Sequence, residues 1–312
     1  ALTAALVVFI TAATLGAINP AWAVASLPMT VAYTFGISLV GSLVGGMTSK
    51  GINASGGNFG SKFATRAPTA PRQLIYGQCR VGGTIVHMET TGTDNFLLHA
   101  VVVLSGHEIE SLESVRLNDV DLTTTTSTIS GSTVHTVTNS EFSNTENENK
   151  YDSNGRLVRF SFEDGSQTAA NGYAVAQSSL ISSDKFLDCA YVYIQMVFDP
   201  EKFGGGMPNM SFVVKGKKVF DPRDSSTAWS DNPALCIRDY ITDTTYGLKA
   251  LSAEINDTTN AGGVAAAANA CDVAVTLADG SSTEKKYTAN GFTNFGASGN
   301  GVIEGLLSAM AG

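Results

Sequence analysis

The sequence predicts an α+β chain that is mainly β: an antiparallel sheet or barrel carrying a polar insertion, a few helices, the beginning of a second domain and an apolar N-terminal arm. Three observations predict it. Short runs of Val, Ile, Leu and aromatic residues recur between glycine-containing breaks, helical spacing is confined to the last third, and no charged residue precedes Lys50.

Residues 1–60 form the arm and a linker. Leu2–Ile18 and Met29–Met47 are uncharged apolar runs, separated by Pro20 and Pro28, which break a helix. The first run just reaches the length needed to cross a bilayer. Three readings stay open: a secretory signal ending at Ala21-Trp22-Ala23, a pair of membrane-active helices, or a segment buried in an oligomeric channel. Gly51–Ser61, rich in Gly, Asn and Ser, reads as a flexible linker.

The body is expected over 61–225. Strands are expected at Arg72–Tyr76, Thr84–Thr90, Phe96–Leu104, Ile109–Leu117, Leu157–Phe162, Tyr191–Phe198 and Phe212–Phe220. Tyr191–Phe198 is apolar at nearly every position, which predicts a central strand covered on both faces. Between Val120 and Asp188 the composition turns to Thr, Ser, Asn and Glu, which predicts an exposed insertion with a hairpin near Asn154-Gly155.

Residues 226–312 are expected to hold a connecting helix and the beginning of a second domain. Asp231-Asn232-Pro233 opens the helix with a cap and a proline at its first position, placing Ala234, Ile237 and Ile241 on one face. An Ala-rich helix follows over Gly263–Ala270, then a hairpin over Val273–Tyr287 turning at Asp279-Gly280. Val302, Ile303, Leu306, Leu307 and Met310 close the chain at helical spacing.

Only 15% of residues are charged and the net charge is −9, with nineteen basic residues scattered along the chain (Lys+Arg 19). Direct nucleic-acid binding is not expected, because it draws its affinity from clustered Lys and Arg. The densest group, Lys215, Lys217 and Lys218, reads as a solvated strand edge.

No catalytic, cofactor-binding or metal-binding residue is expected. Cys79, Cys189, Cys236 and Cys271 lack metal spacing and read as core thiols. His87, His99, His107 and His135 are isolated, and His107 beside Glu108 lacks a second ligand at suitable spacing. Asp188, Asp199 and Glu201 flank the central strand as turn or cap residues, and Gly204-Gly205-Gly206 reads as a turn.

Several motifs carry a resemblance. RQLIYGQCRVGG at Arg72–Gly83, HAVVVL at His99–Leu104, and Gly106-His107-Glu108-Ile109 stand in the first half. Val214–Arg223, Trp229–Leu235, Ala267–Asp272 and Lys286–Gly291 follow in the second. Together they resemble the N-terminal portion of the central hub, or tip-attachment and host-specificity, proteins of long-tailed bacteriophages and gene-transfer particles, over roughly Arg72–Gly312.

The resemblance implies a β-rich, non-catalytic virion protein at the distal end of the tail. It implies a homotrimeric ring that presents pseudo-six-fold symmetry to the tail tube and contacts distal tail proteins and the tape-measure C-terminus. In such a setting Leu6, Val7, Phe9, Ile10, Leu15, Ile18, Trp22, Phe35, Leu39 and Leu43 of the arm are the side chains expected to contact the lumen or the host membrane. The alternative is an exported or envelope-anchored β-rich bacterial binding protein, cleaved after Ala23 and carrying disulfides.

Overall fold

The computed structural model describes residues 70–146, 154–203 and 206–311. The expectations for residues before 70, including those for Leu6, Val7, Phe9, Ile10, Leu15, Ile18, Trp22, Phe35, Leu39 and Leu43, lie outside the described residues. So do those for Gly204 and Gly205. The described residues divide into two compact units: those of 70–218 with Asn290–Gly296, and Val219–Ala289 with those of 297–311.

The first unit is antiparallel throughout its paired strands. Its strands are β1 (Gln73–Tyr76), β2 (Gln78–Val81), β3 (Thr84–Thr91), β4 (Leu97–Ser105), β5 (Ser111–Leu117), β6 (Val120–Asp121), β7 (Thr124–Ile129), β8 (Ser132–Val137), β9 (Val158–Glu163), β10 (Ala190–Val197) and β11 (Met210–Lys215). A six-stranded sheet runs in the order β3-β4-β10-β9-β8-β7 and a four-stranded sheet in the order β2-β11-β5-β6. Both are open sheets, so of the two forms expected, sheet or barrel, the sheet is found.

One apolar core joins the two sheets. Val102, Leu104, Val192, Ile194 and Phe160 of the larger sheet share it with Val81, Val115, Leu117, Phe212 and Val214 of the smaller. This is a face-to-face sandwich, in which alternate residues of each strand point inward. The opposite face of the larger sheet is covered too. Helix α1 (Gly172–Gln177) contributes Tyr173 and Ala174 to a second cluster with Val101, Val134, Tyr191 and Tyr193. All eight residues of β10 are therefore buried, as the apolar run predicts, whereas Phe198, the last residue of the expected strand, lies beyond it and is exposed.

Two expectations are corrected. Residues 120–188 are not simply an exposed insertion: besides β9, which the strand expected at Leu157–Phe162 anticipates, they supply β7 and β8 to the larger sheet and bury Val134 and Val137. The physical reason is that threonine, read as a loop former, is also β-branched and suits a half-exposed strand. The single strand expected at Phe212–Phe220 is broken at Gly216. There a Cβ would lie 2.3 Å from the Ile75 carbonyl oxygen, so only glycine lets the two backbones meet. Of the hairpin expected near Asn154-Gly155, residues 147–153 lie outside the described residues, while Ser143 and Arg156 pair across its base.

The second unit holds a hairpin of β12 (Lys218–Asp221, its first residue shared with the first unit) and β13 (Ser226–Trp229), then three helices and a second hairpin. After the short α2 (Pro200–Phe203) of the first unit come α3 (Pro233–Thr242), α4 (Val264–Cys271) and α5 (Gly299–Ala311). Asn232 caps α3, accepting from the Ala234 N–H at 3.1 Å, and Pro233 stands at its start as the sequence predicts. Ala234, Ile237 and Ile241 are buried, and α3 packs against α4 and α5. The second hairpin, β14 (Ala274–Thr276) and β15 (Thr283–Lys285), turns at Gly280, whose φ of 71° is left-handed. Asn290–Gly296 carries β16 (Gly291–Asn294), which pairs with β1 in the first unit. No described helix is long and apolar enough to cross a membrane.

Candidate functional site

Parts of four motif segments, Arg72–Gly83, Gly106–Ile109, Val214–Arg223 and Lys286–Gly291, far apart in sequence, converge on β1 and β2. His107, 4% exposed, accepts the Ile75 N–H on Nε2 at 3.0 Å, while its Nδ1 lies 2.7 Å from the Glu108 carbonyl oxygen. With Nδ1 donating and Nε2 accepting, the ring is a neutral tautomer held at both ends. The Gly106 N–H donates to the Gln73 carbonyl, Gly216 N–H to Gly77 and Lys217 N–H to Ile75. From the far end of the chain, Asn290 Oδ1 accepts the Gln78 N–H at 2.7 Å. Residues 72–78, 106–108, 214–217 and 290 thus form one backbone junction beside β1. Gly106, Gly216 and Lys217 supply backbone donors, His107 and Asn290 side-chain acceptors, and Gly216 a close backbone approach.

A second constellation lies under α1, on the face of the larger sheet turned away from the sandwich core. Period-two alternation puts Tyr191, Tyr193 and Gln195 of β10 on this face, beside His99 of β4 and Arg159, Ser161 and Glu163 of β9. His99 is fully buried, with Nε2 2.7 Å from Thr91 Oγ1 and Nδ1 2.8 Å from the Tyr193 hydroxyl. The Tyr173 hydroxyl donates to Gln195 Oε1 at 2.6 Å, and its ring meets Tyr193 edge-on at 5.5 Å. Asn171 caps α1 through Oδ1 and donates from Nδ2 to Glu163 at 2.7 Å. At the β3 side, Glu89 accepts the Ser179 N–H at 2.6 Å, with His87 3.5 Å away.

The electrostatics of this layer follow from burial. Burial pushes the His99 imidazolium down, and His87 adds to that against the opposing pull of Glu89. Burial likewise pushes Tyr173, Tyr191 and Tyr193 up, so all three phenols stay neutral at neutral pH. Glu163 is raised by burial, in part offset by its bond from Asn171. Burial also opposes the charge on Glu89, but the Ser179 hydrogen bonds and the nearby His87 hold its carboxyl below the usual range. The layer is a hydrogen-bonded seam that fastens α1 and the loop after it to the sheet, although among the described residues Ser161 Oγ and Gln195 Nε2 find no partner within it.

A cleft of about 510 Å³ in the second unit is lined by Asp231, Lys285, Lys286, Tyr287 and Ala309, among others. Two of its charges are paired with each other: Lys285 Nζ lies 2.7 Å from Asp231, and it also lies 3.5 Å from Asp272, which Arg223 bridges to Asp221 at 2.8 and 2.7 Å. Lys286 stands 5.2 Å over the Tyr287 ring.

All four cysteines are free thiols, with Cys189, Cys236 and Cys271 buried and Cys79 half-buried. Burial pushes the Cys79 thiol up to about 12 and the Cys271 thiol up to about 11, so neither is an ionised nucleophile at neutral pH. Asp199 caps α2 by accepting from the Glu201 and Lys202 N–H groups. Among the described residues no group of three or more His, Cys, Asp or Glu could hold a metal ion.

No family model matches the chain, and no curated protein matches it. Among solved structures it is similar to a chain of the "Virion of native gene transfer agent (GTA) particle", at 14% identity and a TM-score of 0.34. The match covers 61% of this chain and 38% of that one, so the chain spans well under two thirds of that protein's length.

Proposed function

We propose that this chain is a structural, non-catalytic component of a phage-type tail tip, forming part of the central hub ring between the tail tube and the host-recognition apparatus. The observation that carries the reading is the junction at β1. Motif segments at 72–78, 106–108, 214–217 and 290, whose pattern resembles the hub proteins, meet in space and spend their polar groups on backbone contacts. A catalytic motif instead aims side chains at a substrate.

The function that follows is mechanical. A sandwich whose outer face is fastened by a buried seam holds its shape under load, as a ring joining tube to tip must. In this reading three copies form the ring, distal tail and tail-tube proteins stack on it, and the tape-measure C-terminus ends inside it. The apolar arm, through residues such as Phe9, Ile10, Trp22 and Leu39, lines the lumen or enters the host envelope during ejection.

The test is the mass of the full chain by light scattering in mild detergent, beside mass spectrometry of purified particles. Three times the 32.5 kDa of the chain, and its peptides in the particle, are expected. A monomer absent from the particle would overturn the reading.

A further inference from the structure

Sheet edges expose unpaired N–H and C=O groups, and proteins blunt them with charge, bulges or shortness. Three of the four edges of the two large sheets are blunted in this way. β3 carries a bulge between Ile85 and His87 and the ionisable pair His87 and Glu89; β6 has only two residues; β2 has four and carries Arg80.

β7 is the exception. Among the described residues its six, TTTSTI, are paired on one side only, and none is fully buried. No Asp, Glu, Lys or Arg occurs from Leu122 through Ser140. The two-residue turn Ser130-Gly131 (φ 51° and 82°) joins β7 to β8 and closes on Ile129 and Ser132. In such a hairpin the closing pair is hydrogen-bonded and the pairs alternate, so Thr124, Thr126 and Thr128 direct their N–H and C=O groups outward.

The second unit offers a matching strand. β14 and β15 form a two-stranded hairpin whose strand residues are all exposed. Val273, Val275 and Leu277, at alternate positions, are 51%, 40% and 37% exposed and make an apolar stripe on one face. The Lys286 N–H donates to Val273 and the Leu277 N–H to Ser282, so the stripe residues carry the hairpin's own bonds. Ala274 and Thr276 therefore turn their backbone groups outward, at the same spacing as Thr126 and Thr128. Val273–Ala278 is uncharged as well, so an acidic chain of net charge −9 meets no like-charge repulsion between these two segments.

We infer that β14 of one copy adds as a further antiparallel strand to β7 of a second copy. The register pairs Thr128 with Ala274 and Thr126 with Thr276 through hydrogen bonds. It sets Val273 beside Ile129 and Val275 beside Ser127 on the face that carries α1, so the stripe gains an apolar neighbour. The contact is heterologous, different surfaces on the two copies, as a closed ring requires. It rests on the reading of the chain as a ring component and adds which surfaces close the ring.

Ser127 and Val275 would face each other in a non-hydrogen-bonded pair, with Cα atoms about 4.5 Å apart, within reach of a disulfide. Full-length Ser127→Cys and Val275→Cys chains are prepared separately, mixed, oxidised and run on a non-reducing gel. A band at twice the chain mass is expected from the mixture, with neither variant alone exceeding the wild-type background. No band from the mixture, or one from Ser127→Cys alone, which would mean β7 on β7, overturns the inference. Thr126→Pro, which removes one outward N–H, is expected to abolish the oligomer while hydrogen exchange of the β10 amides stays unchanged. An oligomer that survives Thr126→Pro and does not cross-link keeps the ring reading and rejects this contact; a monomeric wild-type chain rejects both.

Discussion

Tyr193 and Ser161 lie opposite each other on β10 and β9, both almost fully buried, yet their hydroxyls have opposite fates. The Tyr193 hydroxyl bonds His99, whereas among the described residues no partner reaches Ser161 Oγ. A buried hydrogen bond is costly to leave half made, while a hydroxyl without a partner contributes only its desolvation cost. Tyr193→Phe is therefore expected to lower unfolding free energy by about 1–3 kcal/mol in chemical denaturation, and Ser161→Ala to leave it unchanged or raise it slightly. The reverse order would remove the seam from the account of stability.

His99 also sets a pH dependence. Its folded-state pKa is depressed, so the unfolded chain binds a proton that the native chain refuses. The stability it contributes is full above about pH 6.5 and is lost as pH falls through that value toward the folded pKa. His135, pushed down by burial, acts in the same direction, while Glu163, raised by burial, acts in the opposite one. The denaturation midpoint should fall between about pH 7.5 and 5.5, and His99→Gln should flatten that fall. An equal fall in the variant would assign the effect elsewhere.

Elements with a strong local signature were legible in the sequence. The cap-and-proline start at Asn232-Pro233, the unbroken apolar run of β10 and the turn at Gly280 each state their structure within a few residues. Asn232 does more than its local pattern discloses, since its Nδ2 also donates to the Ala268 carbonyl of α4 at 2.9 Å. Asn232→Ala should therefore cost about 2–3 kcal/mol by thermal or chemical denaturation, more than a cap alone, and Asn232→Asp should recover only part of it. A loss no larger than about 1 kcal/mol would reduce the residue to a simple cap.

What stayed hidden depends on partners far apart in the chain. The seam joins His99 to Tyr193 and Gln195 to Tyr173, and no window of sequence contains both members of either pair. The alternation Tyr191, Tyr193, Gln195 was the available signal: three side chains with polar ends on one face of an otherwise apolar strand. The edge hairpin β7–β8 was hidden differently, because its uncharged Thr and Ser residues read as loop by polarity and as strand by branching. The break at Gly216 is fixed by the Ile75 carbonyl, which nothing near Gly216 announces.

At the scale of the whole molecule, the first unit is a sandwich with a polar seam on its outer face, and the second a small helical cluster bearing an exposed hairpin. Segments at 72–78, 106–108, 214–217 and 290 build the junction at β1, and the proposed assembly surfaces lie on β7 and β14. The most direct measurement is an averaged cryo-electron microscopy map of particles that carry this chain. The account predicts the sandwich of the first unit in three copies around the tail axis at the distal end; a particle lacking it there, or holding it away from the tail axis, would contradict the account.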